Sequence, residues 1–263
     1  MASESVPTKR CLAYGIGIVV LSYSANAWFN HTVLGLGLKS HEGAYVVGFF
    51  LPFGVVLPAL FLGWVARVGL APARWLGAQL TWRDAAAIVV AMVLGSLLAV
   101  VPLNPVLQGP GGVATVLRLF ALLLVASTAE VLVFLGAFGN AILLAAGREA
   151  RWRSPSIAVV ASSVAFGFFH LTYPAPWNTI VTALGLTVYW VAVSLIFLGS
   201  RSLAAAIAFN NVMAVVGFAR NGLDLPGTAV VGWLFAALAL ASFALLFALA
   251  RQWPWASRSP HGG

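Results

Sequence analysis

The chain has 263 residues, of which 62% are hydrophobic and only 8% charged, with a mean hydropathy of +1.00. Soluble domains carry roughly 25% charged residues, so the water-soluble classes are excluded and an all-α, polytopic membrane bundle is expected. The net charge of +8 is scattered through short loops, as in chains whose topology is set in a bilayer, and implies no nucleic-acid partner.

About 20 apolar residues cross a bilayer. Breaks at charges and Gly/Pro clusters predict about eight transmembrane helices, at 12–34, 44–66, 85–103, 113–147, 155–173, 178–199, 202–218 and 227–250. The fourth is too long for one straight crossing, since about 35 residues at 1.5 Å each extend on the order of 52 Å. It is tilted, broken near Ser127-Thr128, or preceded by an interfacial segment carrying Arg118, and the sequence leaves all three open. Trp75 and Trp82, in the stretch from Arg67 to Asp84, fit a segment lying along the inner leaflet. Trp64, Trp152, Trp177, Trp253 and Trp255 fall near span ends, as an aromatic belt would place them.

With the N-terminus inside, eleven Lys and Arg residues fall on the inner side and two, Lys39 and Arg220, on the outer side. This positive-inside bias predicts that both termini are cytoplasmic, and the expected location is a bacterial inner membrane. The first apolar run lacks a small-residue cleavage site, so a removed signal peptide is not expected. Ala2 stands where N-myristoylation needs glycine. One cysteine, Cys11, excludes an intrachain disulfide and a cysteine metal cluster. No internal repeat is visible, so residues 1–263 read as a single membrane domain.

Glu130 is the only carboxylate inside a long apolar run; Glu4, Glu42, Asp84, Glu149 and Asp224 lie in polar ends or loops. An ionisable group at membrane depth costs several kcal/mol without a partner, which marks it as a candidate functional residue. Two further polar groups lie within spans: His170, and the pair Asn210-Asn211. Glu130 is about 17 residues from the inner end of its span and His170 about 16, or roughly 25 and 24 Å. They share a level on antiparallel neighbours. A carboxylate and an imidazole that meet inside a membrane make a general base, and the amide of Asn211 adds a donor for a developing oxyanion. Asn210 could share that role, but it points about 100° away from Asn211 on a helix.

The letters around these residues resemble a known motif set. Ala129-Glu130-Val131-Leu132-Val133-Phe134-Leu135-Gly136 is similar to the EExxxRG motif of the CAAX-protease and bacteriocin-processing (CPBP, or Abi) family. Phe166-Gly167-Phe168-Phe169-His170 matches its FxxxH motif, and Ile207-Ala208-Phe209-Asn210-Asn211 resembles its HxxxN motif. The resemblance covers residues 113–218, which it marks as a catalytic core. Val131, Leu135 and Ile207 replace the second Glu, the Arg and the His of the motifs. The resemblance implies a glutamate-dependent intramembrane protease that needs no cofactor. Glu130 and His170 would activate water, and Asn211, with Asn210, would serve the oxyanion. Branches that process C-terminal sorting signals, the myxosortases among them, tolerate altered motifs and fit the outer-leaflet depth.

The expected function is therefore an endopeptidase acting on membrane-anchored protein or peptide substrates, with the lipid bilayer as its surroundings. A catalytically inactive scaffold or immunity protein that binds peptides is the alternative. A solute transporter is disfavoured, because inverted repeats and broken-helix signatures are not visible. Other protease chemistries fit less well: no HExxH occurs, and Asp84 and Asp224 lie at span ends. No serine sits at a Gly-flanked helix start. Ser127 and Thr128 are expected to back-bond to their helix or cap a break. Helix packing or a water-filled groove explains the stripe Ser22, Ser24, Asn26, Asn30 and His31, and Gly136 and Gly139 permit close helix approach. His41 and His261 fall in solvated segments.

Overall fold

A computed structural model describes residues 8–33, 46–67, 81–108, 112–145 and 153–220. Helix α1 (Thr8–Trp28) ends in a π-helical turn, Phe29–Val33. A π-helical segment, Val46–Val56, leads into α2 (Leu57–Arg67), and α3 spans Trp82–Leu107. The central helix starts as α4 (Gly112–Val131), widens into a π segment at Leu132–Gly139 and continues as α5 (Asn140–Ala145). Then come α6 (Arg153–Phe169), a 3₁₀ turn at His170–Thr172, α7 (Ile180–Ser200) and α8 (Leu203–Arg220).

No strand occurs among the described residues. Five of their helices are long and apolar enough to cross a membrane, and two shorter apolar ones lie at Phe50–Ala66 and Leu203–Ala219. The molecule is an all-α membrane bundle, and seven of the eight expected spans fall on its helices. The eighth, 227–250, lies outside the described residues, as do Trp75, His41 and His261.

Gly112–Ala145 forms the axis of the bundle and is buried along most of its length. A helix apolar on every side belongs in a core. The long fourth span is thus one helix that begins at Gly112 and takes Arg118 along with it. Its irregularity is the π segment after Glu130, not a break at Ser127-Thr128. Those two hydroxyls are buried without a hydrogen-bond partner, and so do not cap or back-bond. One extra residue per turn re-aims the side chains beyond it, and such π segments gather at functional sites. Here the widening brings Phe134 edge-on to Phe166 of α6, centroids 5.6 Å apart.

Close approaches hold the other helices to this axis. On α3, Ala91, Gly95, Ala99 and Leu103 repeat every four residues and are buried, a small-residue ridge against α8. A Cβ at Gly95 would meet Val212 at 3.1 Å. The opposite face of α3 exposes Val89, Val93, Leu97, Val100 and Val101, the apolar surface expected toward lipid. Gly136 receives the ring of Phe61, as its small-residue reading predicts. Trp64 departs from the aromatic belt: it is fully buried and stacks on Phe61 at 6.1 Å. Trp82 is exposed at the start of α3, with Arg83 over its ring. Thr81 and Asp84 close a capping box that starts this helix.

Candidate functional site

The last turn of α4 carries Glu130 into the core, where it is 8% exposed. Its two carboxylate oxygens have different partners. Oε2 accepts from Nδ2 of Asn210 on α8 at 3.0 Å, in a buried bond. Oε1 accepts from the hydroxyl of the half-buried Tyr173 at 3.4 Å. Asn210 is held at its other end, since Tyr189 of α7 donates to its Oδ1 at 2.8 Å. That bond also fixes which end of the amide faces the carboxylate.

His170 opens the 3₁₀ turn at the end of α6 and is likewise 8% exposed. Its Nδ1 lies 3.0 Å from the carbonyl oxygen of Phe166. A carbonyl only accepts, so Nδ1 carries the hydrogen and the neutral ring keeps its lone pair on Nε2. The imidazole lies flat on the ring of Tyr173, with centroids 4.8 Å apart and an angle of 10° between planes. Tyr173 therefore joins the two expected residues, with its hydroxyl on Glu130 and its ring on His170. Among the described residues no hydrogen bond or ion pair links Glu130 to His170 directly.

The two asparagines turn to different neighbours. Asn210 meets Glu130. Asn211 turns to α4 and donates to the Phe120 carbonyl at 2.8 Å, leaving its buried Oδ1 without a partner. Asn211 is thus a bond between helices and does not face the carboxylate. Adjacent residues differ by about 100° around a helix, so only one amide can point inward at this level.

The polar stripe of α1 has a specific task. Asn26 donates to the Thr172 hydroxyl at 2.7 Å and Asn30 to the Thr172 carbonyl at 3.1 Å. Tyr23 donates to the carbonyl of Ala165 on α6. Two side chains of α1 and one of the π-helical turn after it thereby fix the end of α6 and the turn that carries His170. Ser22 and Ser24 only back-bond to Val19 and Val20, and His31 is exposed.

Trp177 covers the cluster beyond Tyr173. Its ring stacks on Phe218 of α8 at 6.0 Å and lies 6.4 Å from His170. Gly217 makes room for it, since a Cβ there would sit 2.8 Å from the indole. Trp177 is thus part of the site's surroundings as well as a residue near a span end. Val131, Leu135 and Ile207, the apolar residues at motif positions, are all buried in the hydrophobic core.

Among the described residues no group of three or more His, Cys, Asp or Glu is placed to hold a metal ion. The chemistry on hand is an acid and an imidazole bridged by a phenol, with one fixed amide. Comparison with protein-family models, with curated proteins and with solved structures gave no match in any of the three.

Proposed function

We propose that this chain is a glutamate-dependent intramembrane endopeptidase of the CPBP kind, cleaving membrane-anchored protein or peptide substrates such as C-terminal sorting signals. The observation that carries the reading is the buried Glu130 carboxylate, held by Asn210 and Tyr173, one aromatic ring from an imidazole whose Nε2 is available to accept. In a bilayer such a carboxylate is costly to keep and is retained where it acts. Water placed between Glu130 and Nε2 of His170 would lose a proton to the carboxylate as its oxygen adds to the scissile carbonyl. In this reading both termini are cytoplasmic and the site lies toward the outer face of a bacterial inner membrane.

The test uses a panel of single-span reporter proteins whose C-terminal anchors end at the outer face, co-expressed with the enzyme. Wild type is expected to cleave members of the panel, and Glu130→Gln and His170→Ala to abolish cleavage with membrane insertion intact. Cleavage at the wild-type rate by either variant, or no cleavage by wild type, refutes the reading.

A second reading is favoured by one observation: Val131, Leu135 and Ile207 are packed into the core where the resembling motifs carry polar residues. On that ground the chain would bind peptides without cutting them, as a scaffold or immunity protein. Ile207→His separates the two. A gain in cleavage identifies an enzyme working below its capacity; unchanged peptide binding without cleavage identifies a scaffold.

A further inference from the structure

Hydrolysis of an amide puts negative charge on the carbonyl oxygen, and a donor fixed in advance is worth most to that charge. The amides that the sequence offers for this task are both engaged elsewhere. Asn210 is clamped between Glu130 and Tyr189, and Asn211 is turned to Phe120. Ile207, at the position where the resembling motif has histidine, is apolar and fully buried.

Tyr173 combines a firmly held ring with a long hydrogen bond to the Glu130 carboxylate. Its hydroxyl reaches Oε1 of Glu130 at 3.4 Å. That is well beyond the usual O–H···O separation of about 2.7–2.8 Å, so the bond is a weak one to exchange. The ring, in contrast, is held firmly. It stacks on His170, stands edge-on to Phe169 at 5.6 Å, and its backbone N–H donates to the His170 carbonyl at 3.0 Å. The turn beneath it is pinned by Asn26 and Asn30.

We propose that Tyr173 is a catalytic residue, the hydrogen-bond donor to the oxyanion of the tetrahedral intermediate. The assignment rests on the hydrolytic reading above. As Glu130 takes a proton from water, the hydroxide forms a bond to the carbonyl carbon, and the carbonyl oxygen gains the electron pair of its π bond. The Tyr173 hydroxyl moves its hydrogen bond from Oε1 to that oxygen and keeps its proton. Collapse restores the carbonyl and breaks the C–N bond, and the proton held by Glu130 passes to the leaving nitrogen. The products are a carboxylic acid and an amine, and the carboxylate is regenerated.

The experiment compares Tyr173→Phe with wild type on a reporter that wild type cleaves and Glu130→Gln does not. Loss of one oxyanion donor lowers kcat on the order of 10²-fold, with KM unchanged, because the substrate's ground state does not use the bond. A companion protein carrying 3-fluorotyrosine at position 173 keeps the stacking and alters only the strength of the donor; its kcat must also move. Wild-type kcat in Tyr173→Phe, or a change confined to KM, overturns the role of Tyr173 and leaves the hydrolytic reading standing. An unchanged kcat in the fluorinated protein does the same. If every reporter that wild type cleaves is cleaved equally by Glu130→Gln, the reading itself is overturned.

Discussion

Asn210 donates its side-chain amide to Glu130 at 3.0 Å, joining α8 to the central helix across 80 residues of sequence. The neighbouring Asn211 makes the opposite choice and ties α8 to the Phe120 carbonyl on another side. Two identical side chains thus separate into one that supports the carboxylate and one that supports packing. A hydrogen bond to a charged group contributes roughly 1.5–3 kcal/mol, whereas interhelical bonds in membranes average about 0.6 kcal/mol. Asn210→Leu should therefore lower unfolding stability by about 1.5–3 kcal/mol and stop cleavage. Asn211→Ala should cost under about 1 kcal/mol and leave cleavage within roughly twofold of wild type. Chemical unfolding in micelles and the reporter assay together read both effects. An Asn211→Ala protein that is stable but inactive would return the oxyanion role to Asn211.

Tyr189 acts on Glu130 through Asn210. Its hydroxyl engages Oδ1, so the amide cannot turn its oxygen toward the carboxylate. Tyr189→Phe removes one neutral hydrogen bond, worth about 0.5–1.5 kcal/mol, and frees the amide to flip. Cleavage is expected to fall by less than in Asn210→Leu, and the double variant to be no worse than Asn210→Leu alone. Additive losses in that double-mutant cycle would show that the two residues act independently.

The spans were legible because crossing a bilayer demands about 20 apolar residues. The expected 85–103 and 178–199 became Trp82–Leu107 and Ile180–Ser200, with ends that differ by capping and proline detail. The shape of the central helix was not legible. Its residues from 131 to 137 are all buried, so hydropathy has no face from which to read a widened π register. Glu130 stood out by its isolation among apolar residues. Which asparagine meets it depends on how α8 is rotated against its neighbours, and adjacent identical letters carry no sign of that. Tyr173 is the last residue of the expected span 155–173, a position where tyrosine is common and carries no mark of chemistry. A signal for it existed: side chains three apart eclipse in a 3₁₀ turn, and Tyr173 follows His170 by three. Tyr189 has no comparable sequence mark.

The stripe on α1 predicts an effect at a distance. Asn26 and Asn30 touch neither Glu130 nor His170 in any hydrogen bond, yet both hold Thr172, which lies between His170 and Tyr173. Replacing both with alanine removes two bonds of about 0.6 kcal/mol each, too little to unfold the bundle. The turn should loosen, and cleavage should fall at least tenfold through kcat. Hydrogen exchange would report faster opening of the amides at 170–173. Full activity in the double variant would mean that the contacts within α6 and the aromatic rings hold the turn unaided.

Gly167 and Gly185 make a matched pair for the packing of α6 on α7. A Cβ at Gly167 would run into the Ala183 carbonyl and Thr187, so backbone must shift to admit even a methyl group. Nothing lies within 4 Å of a Cβ at Gly185. Gly167→Ala should therefore cost about 1–3 kcal/mol by overpacking. It should also impair cleavage, because it displaces the helix end three residues before His170. Gly185→Ala removes the helix penalty of glycine, about 1 kcal/mol, and should match or exceed wild-type stability with unchanged activity. Thermal unfolding midpoints of the two variants, measured in one detergent, decide the point. A stable Gly167→Ala protein would mean that α6 and α7 lie farther apart than this contact requires, and the stacking of Phe166 on Trp190 at 3.6 Å would need another support.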